Sequence, residues 1–212
     1  MQKENKGSID LTSGSIPGGI LAFAIPLFLG QLLQQLYNMV DAWVIGNFAD
    51  NDAFAAVSST GTIVFLIIGF FSGIATGGGV IISRYFGARD EDNVSKAVHT
   101  NFLMGLIASA VGTIAGLILA PHLLVWLGTP DSVMPHALRY LQSYFGGVST
   151  VILYNICMSI MRALGDSIHP LYYLLFSSIV NIGLDLLFVA HPAFHWGVTG
   201  AAAATVISQG LS

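Results

Sequence analysis

Five long stretches of the chain run almost without charge, over residues 16–46, 53–83, 98–127, 140–161 and 169–190, and a sixth runs over 196–212. A transmembrane helix needs about 20 mostly apolar residues, whereas a strand of a membrane barrel needs only about 9–11. Hydrocarbon offers no partner to a bare backbone N–H or C=O, so segments of this length are expected to be helices. The pattern predicts an all-α membrane protein, a bundle of six transmembrane helices over 16–212, preceded by a polar cytoplasmic segment over 1–15. The first stretch is about twice the ~7–15 apolar residues of a cleaved signal peptide, so it is expected to stay in the mature protein.

Composition strengthens this reading: 54% of residues are hydrophobic and 8% charged. The formal net charge of −4, with no cluster of Lys and Arg, argues against a nucleic-acid partner. The single cysteine, Cys157, lies inside the fourth stretch and has no intrachain disulfide partner.

The seven cations divide unevenly. Lys3 and Lys6 precede the first stretch, Arg84, Arg89 and Lys96 fall between the second and third, and Arg162 lies between the fourth and fifth. The alternate connections, 47–52, 128–135 and 191–195, carry no Lys or Arg, and Arg139 lies near the far end of the fourth stretch. Cytoplasmic loops are enriched in Lys and Arg, which predicts a cytoplasmic N-terminus and, after six spans, a C-terminus on the same side.

Two acids stand where hydrocarbon penalises charge: Asp41 in the first stretch and Asp185 in the fifth. A charge at bilayer depth costs at least ~2.5–3.5 kcal/mol, so such acids face a bundle interior or a wet cavity and mark ion or substrate paths. Gln31, Gln34, Asn38 and Asp41 recur at helical spacing, with Tyr37 one turn from the acid, and Ser177, Ser178, Asn181 and Asp185 form a similar stripe. Both helices run outward under this topology, which places both acids in the outer half, where the two stripes are predicted to meet. Two close carboxyls in a partly dehydrated chamber disfavour each other's ionised form, so the pair can take up and release a proton. Asp41, Asn181, Asp185 and Thr205 alternatively offer oxygens to a transient Na⁺. Spacing alone leaves H⁺ and Na⁺ open.

Small residues at four-residue spacing, Gly69, Gly73 and Gly77 and again Gly112 and Gly116, predict close helix packing. The run Gly77-Gly78-Gly79 reads as a flexible joint; no Lys-Ser or Lys-Thr follows to make it a phosphate loop. Pro26 inside the first stretch predicts a kink and, given the nearby acid, a candidate hinge.

Several motifs together resemble the multidrug and toxic compound extrusion (MATE) transporters, in their N-terminal six-helix lobe. They are FAIPLFLGQLLQQLYNMVDAWVIG (23–46), ISRYFGARD (82–90), MRALGDSIHP (161–170), NIGLDLLFV (181–189) and GAAAAT (200–205), and their order covers nearly the whole chain. The resemblance implies one lobe of a twelve-helix, multi-pass transporter of the cell membrane, the inner membrane in a bacterium. It implies export of drugs, organic cations or other amphiphiles, driven by H⁺ or Na⁺, with no other cofactor. By the same resemblance Asp41, Asp185 and Asn181 correspond to the cation-coupling residues, and Tyr37, Tyr140, Asn155 and Thr205 to their polar surroundings. The family pattern includes a second lobe, so the expected partner besides the lipid bilayer is that lobe or a second copy of this chain.

Competing readings are weaker. Among the six histidines only His191 and His195 are four apart, and Pro192 between them makes a turn, so no metal site is expected. Trp126 and Trp196 fit interface anchors. No enzyme chemistry is expected: an intramembrane aspartyl protease would need Gly-x-Gly-Asp, and Asp185 follows Asn-Ile-Gly-Leu. The alternatives are a flippase for lipid-linked saccharides, for which the spans offer only Arg139 as a phosphate partner, and a truncated, non-transporting membrane partner.

Overall fold

The computed structural model describes residues 16–48, 51–191 and 196–212. The expectations for segment 1–15 with Lys3 and Lys6, and for Pro192 and His195, fall outside the described residues. Six helices follow one another: α1 (Ile16–Phe48), α2 (Asn51–Gly87), α3 (Glu91–Trp126), α4 (Met134–Ala163), α5 (Ile168–Asp185) and α6 (Val198–Leu211). Among the described residues five segments are long and apolar enough to cross a membrane. The sixth helix, α6, has 14 residues among those described.

The first four helices outrun their apolar stretches. α2 and α3 contain 37 and 36 residues, lengths that exceed what the ~30 Å core needs and carry Arg84 and Lys96 on helices instead of in a loop. Between them only a tight turn remains. Arg89 adopts a left-handed φ of 57°, and Asp90 then caps α3, its carboxylate accepting from the Asn93 side chain at 2.7 Å and the Asn93 backbone N–H at 3.1 Å. Those bonds, the side-chain one foremost, hold the Asp90 carboxyl below its ordinary range. α4 begins at Met134 rather than Tyr140 because Pro135 sits in the first turn, where a missing N–H leaves no helix bond unmade. Arg139 thereby lies on α4. Arg84, Arg89, Lys96 and Arg162 all mark one end of the bundle, called the basic end below.

α4 is the central helix, packed against α2, α3 and α6, whereas α1 leans mainly on α5. The main core joins Ile63 and Ala75 of α2 and Leu124 of α3 with Leu141, Tyr144, Phe145, Val148, Ile152 and Ile156 of α4. Gly112 and Gly116 let α3 approach closely: Phe71 and Ile152 cover the first and Phe145 the second. The predicted close contact at Gly69, Gly73 and Gly77 is not found among the described residues, since nothing lies within 4 Å of a Cβ built there. Nor is 77–79 a joint. α2 runs through it unbroken, with the Asn101 side chain against Gly78 and the Ser159 hydroxyl against Gly79, where it donates to the Ala75 carbonyl at 2.7 Å.

α5 passes directly into a π-helical turn, Leu186–Ala190. In an α-helix the Phe188 carbonyl would accept from residue 192, which is proline and has no N–H. The Trp196 N–H donates to that carbonyl instead, at 2.9 Å, and the two rings stack with centroids 4.8 Å apart. This turn begins at the residue after Asp185, and π turns concentrate at functional positions.

Candidate functional site

Asp41 on α1 and Asp185 on α5 face each other closely enough to share a hydrogen bond. Asp185 is fully buried and Asp41 half-buried, and the Oδ1 atom of each is enclosed without a protein partner. Asn181, one turn before Asp185, is 2% exposed. In the amide orientation that leaves no atom facing its like, its nitrogen donates to Asp185 Oδ2 at 3.3 Å and its oxygen accepts from the Thr205 backbone N–H at 3.3 Å. Asn181 thus ties α5 to α6 at the level of the acid, while the Thr205 hydroxyl donates to the Ala201 carbonyl at 3.2 Å.

Local sequence explains why these groups meet. Ser177, Ser178, Asn181 and Asp185 all lie on the buried face of α5. The start of α5 is fixed by Asp166, whose Oδ1 accepts from the backbone N–H groups of Ile168 and His169 at 3.1 and 3.0 Å and whose Oδ2 pairs with His169 Nδ1 at 2.6 Å. Beyond Asp41, Val44 and Ile45 are completely buried against Val189 and Ala201, clamping that end of α1 to the π turn and to α6.

The α1 stripe divides. Gln34, Tyr37 and Asp41 are half-buried, whereas Gln31 and Asn38 are exposed, the latter donating to Gln35 at 3.3 Å. Asn38 therefore does not share the face of the acids as its spacing predicted: consecutive steps of three and four residues drift around the helix, and only part of the stripe reaches α5. The Tyr37 hydroxyl lies near the side chains of Gln34 and of Gln209 on α6. Tyr140 lies near both acids and Tyr37, with its ring stacked on Tyr144 at 6.3 Å. Asn155 turns toward α2: its Oδ1 accepts from the Ser72 hydroxyl at 3.3 Å, and its Nδ2 donates to the Val151 carbonyl at 2.8 Å. Pro26 lies inside α1, beside a small cavity shared with Gln31, Gln34, Arg162 and Ser167.

Sequence reasoning missed Gln209 and Asp166. The first has no periodic partner on α6 that would single it out. The second lies in the motif 161–170, where a Gly-Asp-Ser turn before a hydrophobic helix is a capping signal. Among the described residues no group of three His, Cys, Asp or Glu side chains comes together to hold a metal. Around the two carboxylates stand the Tyr37 and Tyr140 hydroxyls, while the Asn181 amide turns its nitrogen to Asp185 and its oxygen to Thr205.

Comparison with known proteins bears on the fold and the family. Residues 26–187 match the MatE family. A probable multidrug resistance protein, YpnP, of Bacillus subtilis is 33% identical over 96% of this chain and 45% of its own length. The multidrug export protein MepA of Staphylococcus saprophyticus is 28% identical over 92% of this chain and 43% of its own. A structure described as the outward-facing conformation of a multidrug resistance MATE family transporter superposes with a TM-score of 0.89 at 27% identity, over 99% of this chain and 46% of that one. The chain spans a little under half the length of the relatives it matches. With the matched region covering most of the sequence and the six-helix fold shared, this chain belongs to the MatE family of multidrug and toxic compound extrusion transporters.

Proposed function

We propose that this chain forms the N-terminal lobe of an antiporter that exports drugs or other amphiphilic organic compounds by alternating access, in exchange for H⁺ or Na⁺. The observation that carries the reading is the Asp41–Asp185 pair, presented by two different helices and held by Asn181 and Thr205. Desolvated acids that close stabilise a shared cation, so occupation by an ion and the helix arrangement depend on each other. One elementary charge moving through 100 mV contributes about 2.3 kcal/mol, equivalent to roughly a fiftyfold gradient of a neutral solute. The excess of cations at the basic end supports a cytoplasmic location for that end. The second lobe, or a second copy of the chain, completes the central cleft, and Pro26 is the hinge of α1.

In the full-length transporter, Asp41→Asn and Asp185→Asn each abolish ion-driven efflux while the protein still folds. Wild-type efflux in both variants would refute the assignment. Pro26→Ala tests the hinge separately: unchanged transport and coupling in that variant would remove it.

A further inference from the structure

At the basic end, a cavity of about 20 Å³ lies between α1 and the start of α5, lined by Pro26, Gln31, Gln34, Arg162 and Ser167. A site needs roughly 10–15 Å³ and two to four polar partners to hold a water, and this one offers a guanidinium, two amides and a hydroxyl. Ser167 is completely buried and its Oγ has no protein partner. A buried hydroxyl without a partner costs about 1–3 kcal/mol, which a water at this position relieves. Gln34 lines this cavity and lies near the Tyr37 hydroxyl, and Tyr37 lies near Asp41 and Asp185.

We infer that this cavity seats water and that Gln34 and Tyr37 extend it to the acid pair, forming a sided route by which the coupling ion, a proton, reaches the basic-end surface. The inference rests on the proposed coupling role of the acids and selects between the two ions. The space fits about one water and not a hydrated metal cation. A proton needs no such room. It leaves the carboxyl O–H for the Tyr37 hydroxyl oxygen as Tyr37 gives its own proton to water beside Gln34, so Tyr37 stays neutral and the charge passes to bulk water. The titratable and charged groups around this path are Asp41 and Tyr37 on α1, Tyr140, Tyr154 and Arg162 on α4, Asp185 on α5, and the Asp166–His169 pair in the turn that carries Ser167.

The test uses the full-length protein reconstituted in one orientation, with a pH step applied on one side and the carboxyl infrared band of the acid pair followed in time. For steps on the basic side, Gln34→Leu is expected to slow the response about tenfold, the factor set by 1.4 kcal/mol in a barrier, and Ser167→Ala, which preserves packing, slows it in the same direction. Steps on the opposite side should be unaffected. Equal responses from both sides in the variants, or wild-type rates in both variants, would overturn the route. A band that moves with a Na⁺ step at constant pH overturns the choice of proton. Failure of the proposed coupling role looks different: the wild-type band then responds to no step on either side.

Discussion

Gly200 is the position where packing and the acid site are most directly joined. It opens the motif 200–205 on α6, and a Cβ there would lie 2.9 Å from the Phe188 Cβ and 3.2 Å from its carbonyl carbon and oxygen. Ordinary contact begins near 3.4 Å, and backbone atoms cannot swing aside, so Gly200→Ala requires α6 to retreat from the π turn by about 0.5 Å. Thr205 moves with α6. The bond from its N–H to Asn181, now 3.3 Å, lengthens to about 3.8 Å, beyond the range in which such a bond contributes. Asn181 then loses the partner that orients it toward Asp185. The overpacking itself costs about 1–3 kcal/mol. Gly183→Ala on α5 is the control, because open space surrounds that position and replacing a mid-helix glycine by alanine stabilises by about 0.5–1 kcal/mol. Melting temperature and ion-driven efflux, measured on both variants in the full-length protein, should separate: Gly200→Ala loses both, and Gly183→Ala keeps both. A Gly200→Ala protein as stable and as well coupled as the control would refute the link between this contact and the site.

Asp90 supplies a pH prediction outside the membrane. Its folded carboxyl is held below the ordinary range by Asn93, so its support for the start of α3 is complete above the unfolded carboxylate range and disappears as pH falls through the folded value. The protection factor of the Asn93 N–H, its exchange rate corrected for the intrinsic pH dependence of amide exchange, should therefore fall on acidification, whereas Asp90→Ala should show low protection throughout; a pH-independent protection factor in the wild type would contradict the capping argument. Asn155→Ala breaks the Ser72 contact and is expected to lower stability by about 0.6 kcal/mol, the mean for polar contacts between membrane helices, while ion coupling stays near wild type. Lost coupling with unchanged stability would return Asn155 to the acid network.

The apolar stretches located the helices because the membrane makes one demand of every spanning residue, and the two acids stood out against it. Boundaries were less legible. Met134 and Pro135 extend α4, and Lys96 lies on α3, because helices continue into the polar layer where hydropathy no longer marks them. Contacts between helices were legible only in part: Gly112 and Gly116 meet large side chains, yet Gly69 and Gly73 on the same kind of spacing meet nothing nearby. Small size permits an approach without specifying which neighbour makes it. Asn38 likewise has the spacing of the α1 stripe but not its orientation, since that depends on how α1 rotates against α5. Gln209 and the cavity around Ser167 arise from tertiary placement alone.

The packing of α1 divides that helix into two mechanically different parts. Among its described residues only Val44 and Ile45 are fully buried, both just beyond Asp41, and they lock against Val189 and Ala201. Toward the basic end α1 is covered lightly: a Cβ built on Gly30 would make only ordinary contact with Leu174, at 3.5 Å, and Pro26 has no N–H to continue the helix ladder. A bend at Pro26 would therefore displace the basic half while the clamp kept Asp41 opposite Asp185. The cavity, with Pro26 on its border, lies at the bend itself, and the acids lie on the fixed part. Such a bend changes the access of water to the acids without altering their mutual contact. An alternating-access lobe needs that separation, because ion affinity and ion access can then be set by different residues of the same helix.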